Sequence, residues 1–192
     1  MRCFVAVNLP GEIREEVGKF TASPSLRAVG RGVRWTRPEN IHLTLKFLGN
    51  VDREALRSLQ SALDGALAGH SPCSLTVKGS GVFPPRGRPR IVWIGLSGET
   101  AALANLQSTV ESALEPLGFP REKRPFTPHL TIGRVRDPRR PAPLISEIAT
   151  AGEREWGRCV VERVHLMRSE LFPTGPRYSI LHEVRLAGKT KD

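Results

Sequence analysis

A short motif, histidine–leucine–threonine followed by an aliphatic residue, occurs twice in the chain and constrains its fold more than any other feature. It stands at His42 to Leu45 and again at His129 to Ile132, inside β-branched and apolar runs that predict strands. Side chains two residues apart in a strand point to the same face. Each copy therefore places one imidazole and one hydroxyl on one face, above a buried apolar face.

A second correspondence indicates that the repeat extends beyond the motif. His42 and His129 are 87 positions apart, and the same shift aligns the first apolar run, residues 4–9, with residues 91–96. Two copies favour two related lobes over a solenoid, which needs at least three repeats. We expect one bilobal domain over residues 1–192, made of pseudo-repeat halves at approximately 1–86 and 87–192.

Strands and helices alternate in both halves, which predicts an α+β fold. Near the C-terminus, strands are expected at 158–168 and 178–186, and residues 21–32, rich in small and turn residues, are expected to form a loop. A parallel doubly wound sheet is disfavoured, because the first strand is followed by Pro10-Gly11 and not by a glycine-rich phosphate-binding turn.

The charge of the chain favours an anionic partner. Its formal net charge is +10, which indicates nucleic acid first, with a merely basic protein as the alternative. Three widely spaced cysteines indicate neither a disulfide framework nor a metal cluster, and they fit a reducing cytoplasm. Since no apolar run has the length of a transmembrane helix, no membrane association is expected.

Two histidines and two threonines are suited to acid–base chemistry at a phosphate. Imidazole titrates near neutral pH, so one ring can accept a proton while the other donates one. Threonine hydroxyls can donate hydrogen bonds to phosphoryl oxygens as negative charge develops there. A cyclic phosphodiester matches these groups, and no metal is required. The alternative for each histidine is a ring that only bonds its neighbouring backbone.

Two other kinds of active site fit less well. A zinc site needs three or four ligands, and the motifs contain no Cys, Asp or Glu. A Ser-His-Asp hydrolase would need a G-x-S-x-G turn, which the chain lacks.

At these motifs the sequence resembles the two-histidine (2H) phosphoesterases and, among them, the RNA 2′,3′-cyclic phosphodiesterases once called 2′-5′ RNA ligases. The likeness runs nearly end to end and is carried by residues 2–10, 34–49, 126–134, 169–171 and 175–178. It implies two antiparallel sheets backed by helices, with one motif strand of each lobe facing a central cleft. It also implies hydrolysis of RNA 2′,3′-cyclic phosphate ends to 2′-phosphates without a cofactor or metal.

The resemblance also implies roles for the motif residues. His129 is expected to accept a proton from water, and His42 to donate a proton to the departing 3′-oxygen. Thr44 and Thr131 are expected to bind the phosphate oxygens.

Arg134 is expected to add a cation to the phosphate site. Strict alternation, however, puts it on the face opposite His129 and Thr131. Its role therefore requires a bulge at Gly133; otherwise Arg134 is a solvated residue at the strand end.

Contacts with the rest of an RNA substrate are less specific. Phe4, Trp35 and Phe126 either stack on a nucleobase or belong to the core. Strict alternation predicts that Lys46 lies on the same face as His42. It is expected there either to contact RNA or to be a solvated lysine at the strand end. A third group, which either follows an RNA backbone or is solvated, consists of Arg86, Arg88, Arg90, Arg139 and Arg140.

Two alternatives to hydrolysis stay open. The same site could run in reverse and join tRNA halves through a 2′-5′ linkage, or the cleft could bind RNA ends without catalysis. The expected partner in each case is RNA with a 2′,3′-cyclic phosphate end, and the expected oligomeric state is a monomer.

Overall fold

In the computed structural model, which describes residues 1–137 and 141–188, nine strands form one curled antiparallel sheet. The strands are β1 (Arg2–Asn8), β2 (Val33–Trp35), β3 (His42–Asn50), β4 (Cys73–Phe83), β5 (Ile91–Gly98), β6 (His129–Val135), β7 (Glu155–Val161), β8 (Arg163–Phe172) and β9 (Gly175–Arg185). The helices are α1 (Gly11–Thr21), α2 (Pro24–Val29), α3 (Ala55–Leu67), α4 (Thr100–Leu114) and α5 (Pro141–Ala149).

The sheet consists of two lobes that meet at β3 and β6. Its strand order is β7-β4-β5-β6-β3-β1-β8-β9, and the short β2 pairs with β6. One lobe contains β7, β4, β5 and β6, and the other contains β3, β1, β8 and β9. The predicted bilobal α+β fold is confirmed, with the two antiparallel sheets joined at this seam.

Each lobe takes strands from both halves of the sequence. The early strand β1 lies between β3 and the late strand β8, while β4, from the first half, pairs with β5 from the second. The strand order is therefore symmetric about the β3–β6 seam, with β1 corresponding to β5 and β8 corresponding to β4. The chain segments on either side of residue 86 are interleaved in space and do not form one lobe each.

The strand predicted at 158–168 is wrong, because it is two strands in different lobes. β7 ends at Val161 and pairs with β4, whereas β8 begins at Arg163 and pairs with β1. Five strands separate β7 from β8 in the sheet, which is a distance of roughly 29 Å for flat neighbours about 4.8 Å apart. The single linking residue, Glu162, spans only about 7 Å. The sheet must therefore curl until its two lobes meet at this end.

The helices cover the outer face of the curled sheet and close the hydrophobic core. α3 and α4 pack together, α4 against β3 and α3 against β9, whereas α1 and α5 pack against β7 and β4. Within the region predicted to be a loop, α2 begins at Pro24, a favourable first helical residue, and buries Leu26. On the motif strands, Leu43 and Leu130 point into this core. The opposite, concave face of the sheet is left for the site.

Two further observations concern the cysteines and the helices. Cys3, Cys73 and Cys159 are all buried and free. None of the helices in residues 1–137 and 141–188 is long and apolar enough to cross a membrane.

Candidate active site

The concave face of the sheet contains a cleft of about 510 Å³ between the two lobes. Four of the five predicted catalytic and phosphate-binding residues line it: His42, Thr44, Thr131 and Arg134. They come from β3 in one lobe and β6 in the other, so the structure brings both motifs to one site.

The register at the seam fixes how the motifs face each other. Leu43 pairs with Leu130, and this is the single ladder pair between β3 and β6, two strands that the structure describes completely. Continuing the antiparallel register by one residue sets His42 across from Thr131 and Thr44 across from His129. Opposite residues of an antiparallel pair share a face. Each imidazole therefore has the hydroxyl of the other motif as its neighbour.

The tautomer of both histidines follows from the same backbone contact. His42 Nδ1 lies 2.8 Å from the carbonyl oxygen of Asn40, and His129 Nδ1 lies 2.8 Å from that of Thr127. Because a carbonyl only accepts hydrogen bonds, each Nδ1 must carry the proton. Each Nε2 is then free to accept a proton when the ring is neutral and to donate one when it is charged.

His42 lies in an aromatic pocket that lowers its pKa. Its ring centroid is 4.8 Å from that of Phe4 and 5.2 Å from that of Tyr178. Burial lowers the pKa of His42 below its ordinary 6.5, the hydrogen bond to Asn40 O opposes this shift, and the charge of Arg134 adds to it. In the unliganded protein His42 therefore favours the neutral ring.

His129 lies at the edge of the site, outside the residues that line the cleft. Its half-buried ring packs edge-on against Phe83, with centroids 5.2 Å apart. An aromatic ring packs against each of the two imidazoles, but the Nδ1 hydrogen bond of His129 is exposed whereas that of His42 is partly buried. The two similar motifs thus stand in different surroundings.

A β-bulge brings Arg134 to the cleft. Val92 of β5 pairs with Gly133, but the next residue, Trp93, pairs with Thr131, so Ile132 is an extra residue in β6. Ile132 and Gly133 are both buried, which breaks the alternation and returns Arg134 to the face of Thr131. Gly133 is required for close packing too, since a Cβ there would meet Val33 Cγ1 at 2.7 Å.

A corresponding bulge in β3 contradicts the position predicted for Lys46. Val5 of β1 pairs with Lys46, whereas Ala6 pairs with Thr44, so Leu45 is the extra residue. Lys46 therefore turns away from His42 and is 5% exposed, while Phe47 takes the cleft face and is 71% exposed. The contact with RNA predicted for Lys46 is wrong because strict alternation does not hold across a bulge.

Lys46 instead joins the motif strand to helix α4. Its ammonium group forms a buried ion pair with Glu111 and donates a 2.8 Å hydrogen bond to the carbonyl of Pro120. Gln107 donates both to Glu111 and to the carbonyl of Leu45, the bulge residue. This network fixes the back of β3 just beyond His42 and Thr44.

The predicted aromatic contacts have three different outcomes. Phe4 lines the cleft, although it is 4% exposed and lies under His42. Trp35 lines the cleft and packs against the core at the same time. Phe126 packs against the core and is outside the cleft lining.

The predicted arginine contacts lie apart from the cleft lining. Arg86, Arg88 and Arg90 are exposed, and their segment follows the end of β4 at Phe83, the aromatic partner of His129. Arg139 and Arg140 lie outside the described residues.

The cleft lining also includes residues that the sequence did not assign to the site, among them the charged and aromatic side chains of Arg2, Arg34, Phe47 and Tyr178. Tyr178 is the single tyrosine of the chain and packs on His42. Burial raises the pKa of its phenol, and the charges of Arg134, Arg2 and Arg34 oppose this shift. The three arginines line the same cleft as this phenol, and they make this end of the cleft positively charged. Arg34 and Tyr178 stand in segments that carry the family resemblance, which was the available signal for them.

In the described part of the chain, no three His, Cys, Asp or Glu residues are grouped so that they could hold a metal ion.

Comparisons with known proteins agree with this geometry. The family model described as the 2′-5′ RNA ligase superfamily matches residues 12–171. An RNA 2′,3′-cyclic phosphodiesterase of Methanothermobacter thermautotrophicus is 35% identical over 186 residues, covering 97% of this chain and 99% of the relative. A protein of the same name from Archaeoglobus fulgidus is 38% identical over 184 residues, covering 94% and 98%.

Solved structures share the fold over nearly the whole chain. A crystal structure of a protein from Thermus thermophilus superposes with a TM-score of 0.81 at 29% identity, covering 99% of this chain and 100% of that one. Escherichia coli LigT complexed with 3′-AMP superposes with a TM-score of 0.77 at 26% identity, covering 96% and 97%.

Proposed function

Because the chain belongs to the 2′-5′ RNA ligase superfamily, the 2H phosphoesterases, we propose that it hydrolyses 2′,3′-cyclic phosphate ends of RNA to 2′-phosphates. The relatives named RNA 2′,3′-cyclic phosphodiesterase that align with nearly its full length support this activity. The observation that carries the proposal is the antiparallel pairing of Leu43 with Leu130, which sets the two H-x-T motifs against each other across one cleft.

Water attacks the phosphorus and the 3′-oxygen leaves from the opposite side. His129 Nε2 accepts the proton of the attacking water as the new P–O bond forms, and the more exposed hydrogen bond that orients this ring suits that role. His42 Nε2 donates a proton to the departing 3′-oxygen as the P–O3′ bond breaks. The phosphate stays on O2′, and proton exchange with solvent restores both rings.

Thr44 and Thr131 donate hydrogen bonds to the non-bridging oxygens in this proposal, and Arg134 supplies the cation. These groups are held by the strands before substrate arrives, so they stabilise developing charge without reorganisation. The substrate anion also offsets the charge of Arg134 at His42. It therefore raises the pKa of His42 towards the value that a proton donor needs at neutral pH.

The nucleobase of the terminal nucleotide packs on the aromatic end of the cleft. Phe47 presents an exposed ring there, with its centroid 6.3 Å from that of Phe4. Trp35 lines the same cavity from the other lobe. Stacking accepts every base, so this contact gives affinity with little sequence preference. Escherichia coli LigT, which shares this fold, has been crystallised as a complex with 3′-AMP, and this supports nucleotide binding by the present chain.

No metal or cofactor takes part in the proposed reaction, because the histidines, threonines and Arg134 supply the proton transfers and the charge. Activity is therefore expected to persist in EDTA. The partner is RNA carrying a 2′,3′-cyclic phosphate, tRNA fragments included, and the protein is expected to act as a cytoplasmic monomer.

A second candidate function is 2′-5′ RNA ligation, favoured by the description of the family itself. Joining uses the same groups in the same roles: a 5′-hydroxyl, not water, attacks the phosphorus and gives its proton to His129, while His42 protonates the departing 3′-oxygen, which leaves a 2′-5′ phosphodiester. Supplying cleaved tRNA halves and measuring joining against hydrolysis separates the two functions.

The test of the proposed function is incubation with an oligoribonucleotide that ends in a 2′,3′-cyclic phosphate, with and without EDTA. We expect a 2′-phosphate as the product, at the same rate in both samples. A 3′-phosphate product, or no turnover, would reject the proposal. Tight binding of the RNA end with no turnover would identify the protein as a binding module instead.

A further inference from the structure

Two arginines stand directly opposite each other at the cleft. Arg34 of β2 is the register partner of Arg134 of β6, and both line the cavity. Like charges at opposite positions of an antiparallel pair destabilise it. Among the described residues, no carboxylate forms an ion pair with either arginine. The cyclic phosphate needs Arg134, so Arg34 is a cation that the proposed reaction leaves unused.

The β8–β9 turn holds the Arg34 side chain in place. A Cβ built on Gly175 would lie 2.9 Å from Arg34 Nη2, so the guanidinium packs against the backbone of this glycine. The turn is itself tied to the segment that follows β2, since Arg37 donates a 3.1 Å hydrogen bond to the carbonyl of Thr174. Arg34 therefore reaches from the lobe of β6 to the lobe of β8 and β9, and spans one end of the cleft.

A second cavity, of about 570 Å³, adjoins the cleft at this point. Arg34 and Thr174 line both cavities. The second one, which we call the basic groove, also has Arg31 and Arg136 in its lining, against one acidic residue, Asp137. In the described part of the chain, no carboxylate forms an ion pair with Arg31 or Arg136. A path with a net positive charge thus leads from the cleft past Arg34 to the surface.

We propose that Arg34 binds the phosphodiester on the 5′ side of the terminal nucleotide, and that the basic groove takes the RNA backbone beyond it. This inference rests on the proposed function and adds to it a preference for chains of at least two nucleotides over a single nucleotide. A planar guanidinium matches a phosphate group with two parallel hydrogen bonds. Contacts to the backbone carry no base information, so the groove selects for chain length and not for sequence.

The test compares two substrates that share their reacting nucleotide: adenosine 2′,3′-cyclic phosphate, and a trinucleotide ending in the same group. Arg34→Gln is expected to lower kcat/KM for the trinucleotide roughly tenfold, mainly through KM, because one charged hydrogen-bonded contact is lost. The mononucleotide should change less than about twofold. Arg34→Lys, which keeps the charge but loses the fork, should recover part of the loss. Arg57→Gln is the control, because Arg57 is an exposed residue of helix α3 and the substitution removes the same charge; it should leave kcat/KM for both substrates unchanged.

Binding gives a second measurement that is independent of turnover. The affinity for the trinucleotide 2′-phosphate product should fall in Arg34→Gln. The slope of the logarithm of the binding constant against the logarithm of salt concentration should become shallower by about 0.7, the value for one phosphate contact of a single strand. Arg136→Gln should likewise lower the affinity for longer oligonucleotides and make its salt dependence shallower.

The outcomes separate this inference from the function on which it rests. Equal losses on both substrates, or no loss on the trinucleotide, would overturn the role of Arg34 and leave the hydrolase in place. If the wild-type protein hydrolyses neither substrate, the proposed function fails and this site fails with it.

Discussion

Leu43 pairs with Leu130 across the seam between the lobes, and this antiparallel pairing aligns the two motifs in opposite directions. Each histidine consequently stands across from the threonine of the other motif. A site of this kind is divided between two lobes, and neither motif can assemble it alone. The roles that we propose for the two histidines then depend on their surroundings, which differ although both motifs have the same H-x-T pattern.

Removal of either imidazole should abolish most turnover. We expect His42→Ala and His129→Ala each to lower kcat by roughly 10²- to 10⁴-fold, because each ring transfers a proton in the same step. The double variant should lose little more than the weaker single variant, since the groups act as a unit. Cleavage of a cyclic-phosphate oligonucleotide is the measurement. His182→Gln, whose ring bonds Asp64 of helix α3, is the control; a fully active His129→Ala would contradict the mechanism.

The threonine hydroxyls can be removed with little change of shape. Thr44→Val and Thr131→Val should each lower kcat about 10- to 100-fold, because a charged hydrogen bond contributes roughly 1.5–3 kcal/mol. Single-turnover kinetics measures the chemical step, and thermal melting checks the fold. Thr109→Val, which changes a hydroxyl bonded to His70 away from the cleft, should keep full activity. Loss of binding with an unchanged chemical step would instead assign the hydroxyls to ground-state binding.

His42 should titrate below its ordinary pKa of 6.5 in the free protein, because burial disfavours the charged ring and Arg134 repels it. Titration followed by NMR of the imidazole measures this midpoint. Arg134→Gln should raise the pKa, as should bound product, whereas Arg57→Gln should not. A midpoint at or above 6.5 in the free protein would be inconsistent with the observed packing.

The same shift has a consequence for stability. The unfolded chain binds a proton at this position more readily than the folded one, so neutral His42 contributes stability that is present above pH 6.5. That contribution is lost as the pH falls from 6.5 through the folded-state pKa. Urea unfolding of His42→Gln should depend less steeply on pH in this window than unfolding of the wild type.

The buried ion pair behind β3 should matter for stability and not for RNA contact. Lys46→Met leaves Glu111 buried without its partner and should lower the free energy of unfolding by about 3–5 kcal/mol. The double variant Lys46→Met, Glu111→Leu should recover most of this loss. Urea unfolding measures both. A weaker affinity for RNA in the folded double variant would restore Lys46 as a contact.

Phe47, which occupies the cleft position first expected for Lys46, should contribute to nucleotide binding. Phe47→Ala should weaken the affinity for a nucleotide product by about 1–3 kcal/mol, because the base loses its stacking surface. Fluorescence or calorimetric titration measures the change. Val160→Ala, at an exposed apolar residue on β7, is the matched surface control. Equal affinities for all variants would place the base elsewhere.

The sequence predicted the parts of the structure that depend on uninterrupted periodicity. The H-x-T pattern gave both motif strands and their polar faces, the 87-residue shift identified β1 with β5, and the resemblance is confirmed by the family match. Alternation fails two residues beyond each threonine, at Lys46 and Gly133. A bulge depends on the register with a neighbouring strand, which no local pattern records, so Lys46 was placed in the cleft in place of Phe47.

Pairing between strands that are far apart in the sequence is the other feature that the sequence does not predict. A run from 158 to 168 has strand character throughout, and only the partners of each part, β4 and β1, divide it at Glu162. The opposition of Arg34 and Arg134 likewise arises from pairing between distant segments.

The interleaving of strands affects how the chain folds while it is being synthesised on the ribosome. As the nascent chain emerges, β1 and β3 can associate early, but the outer side of β1 stays unpaired until β8 has been translated. Nor can β4 find both of its neighbours before β7 is made. Neither lobe can therefore complete its sheet until most of the chain has been translated, and a product truncated near residue 86 would expose bare strand edges that favour aggregation.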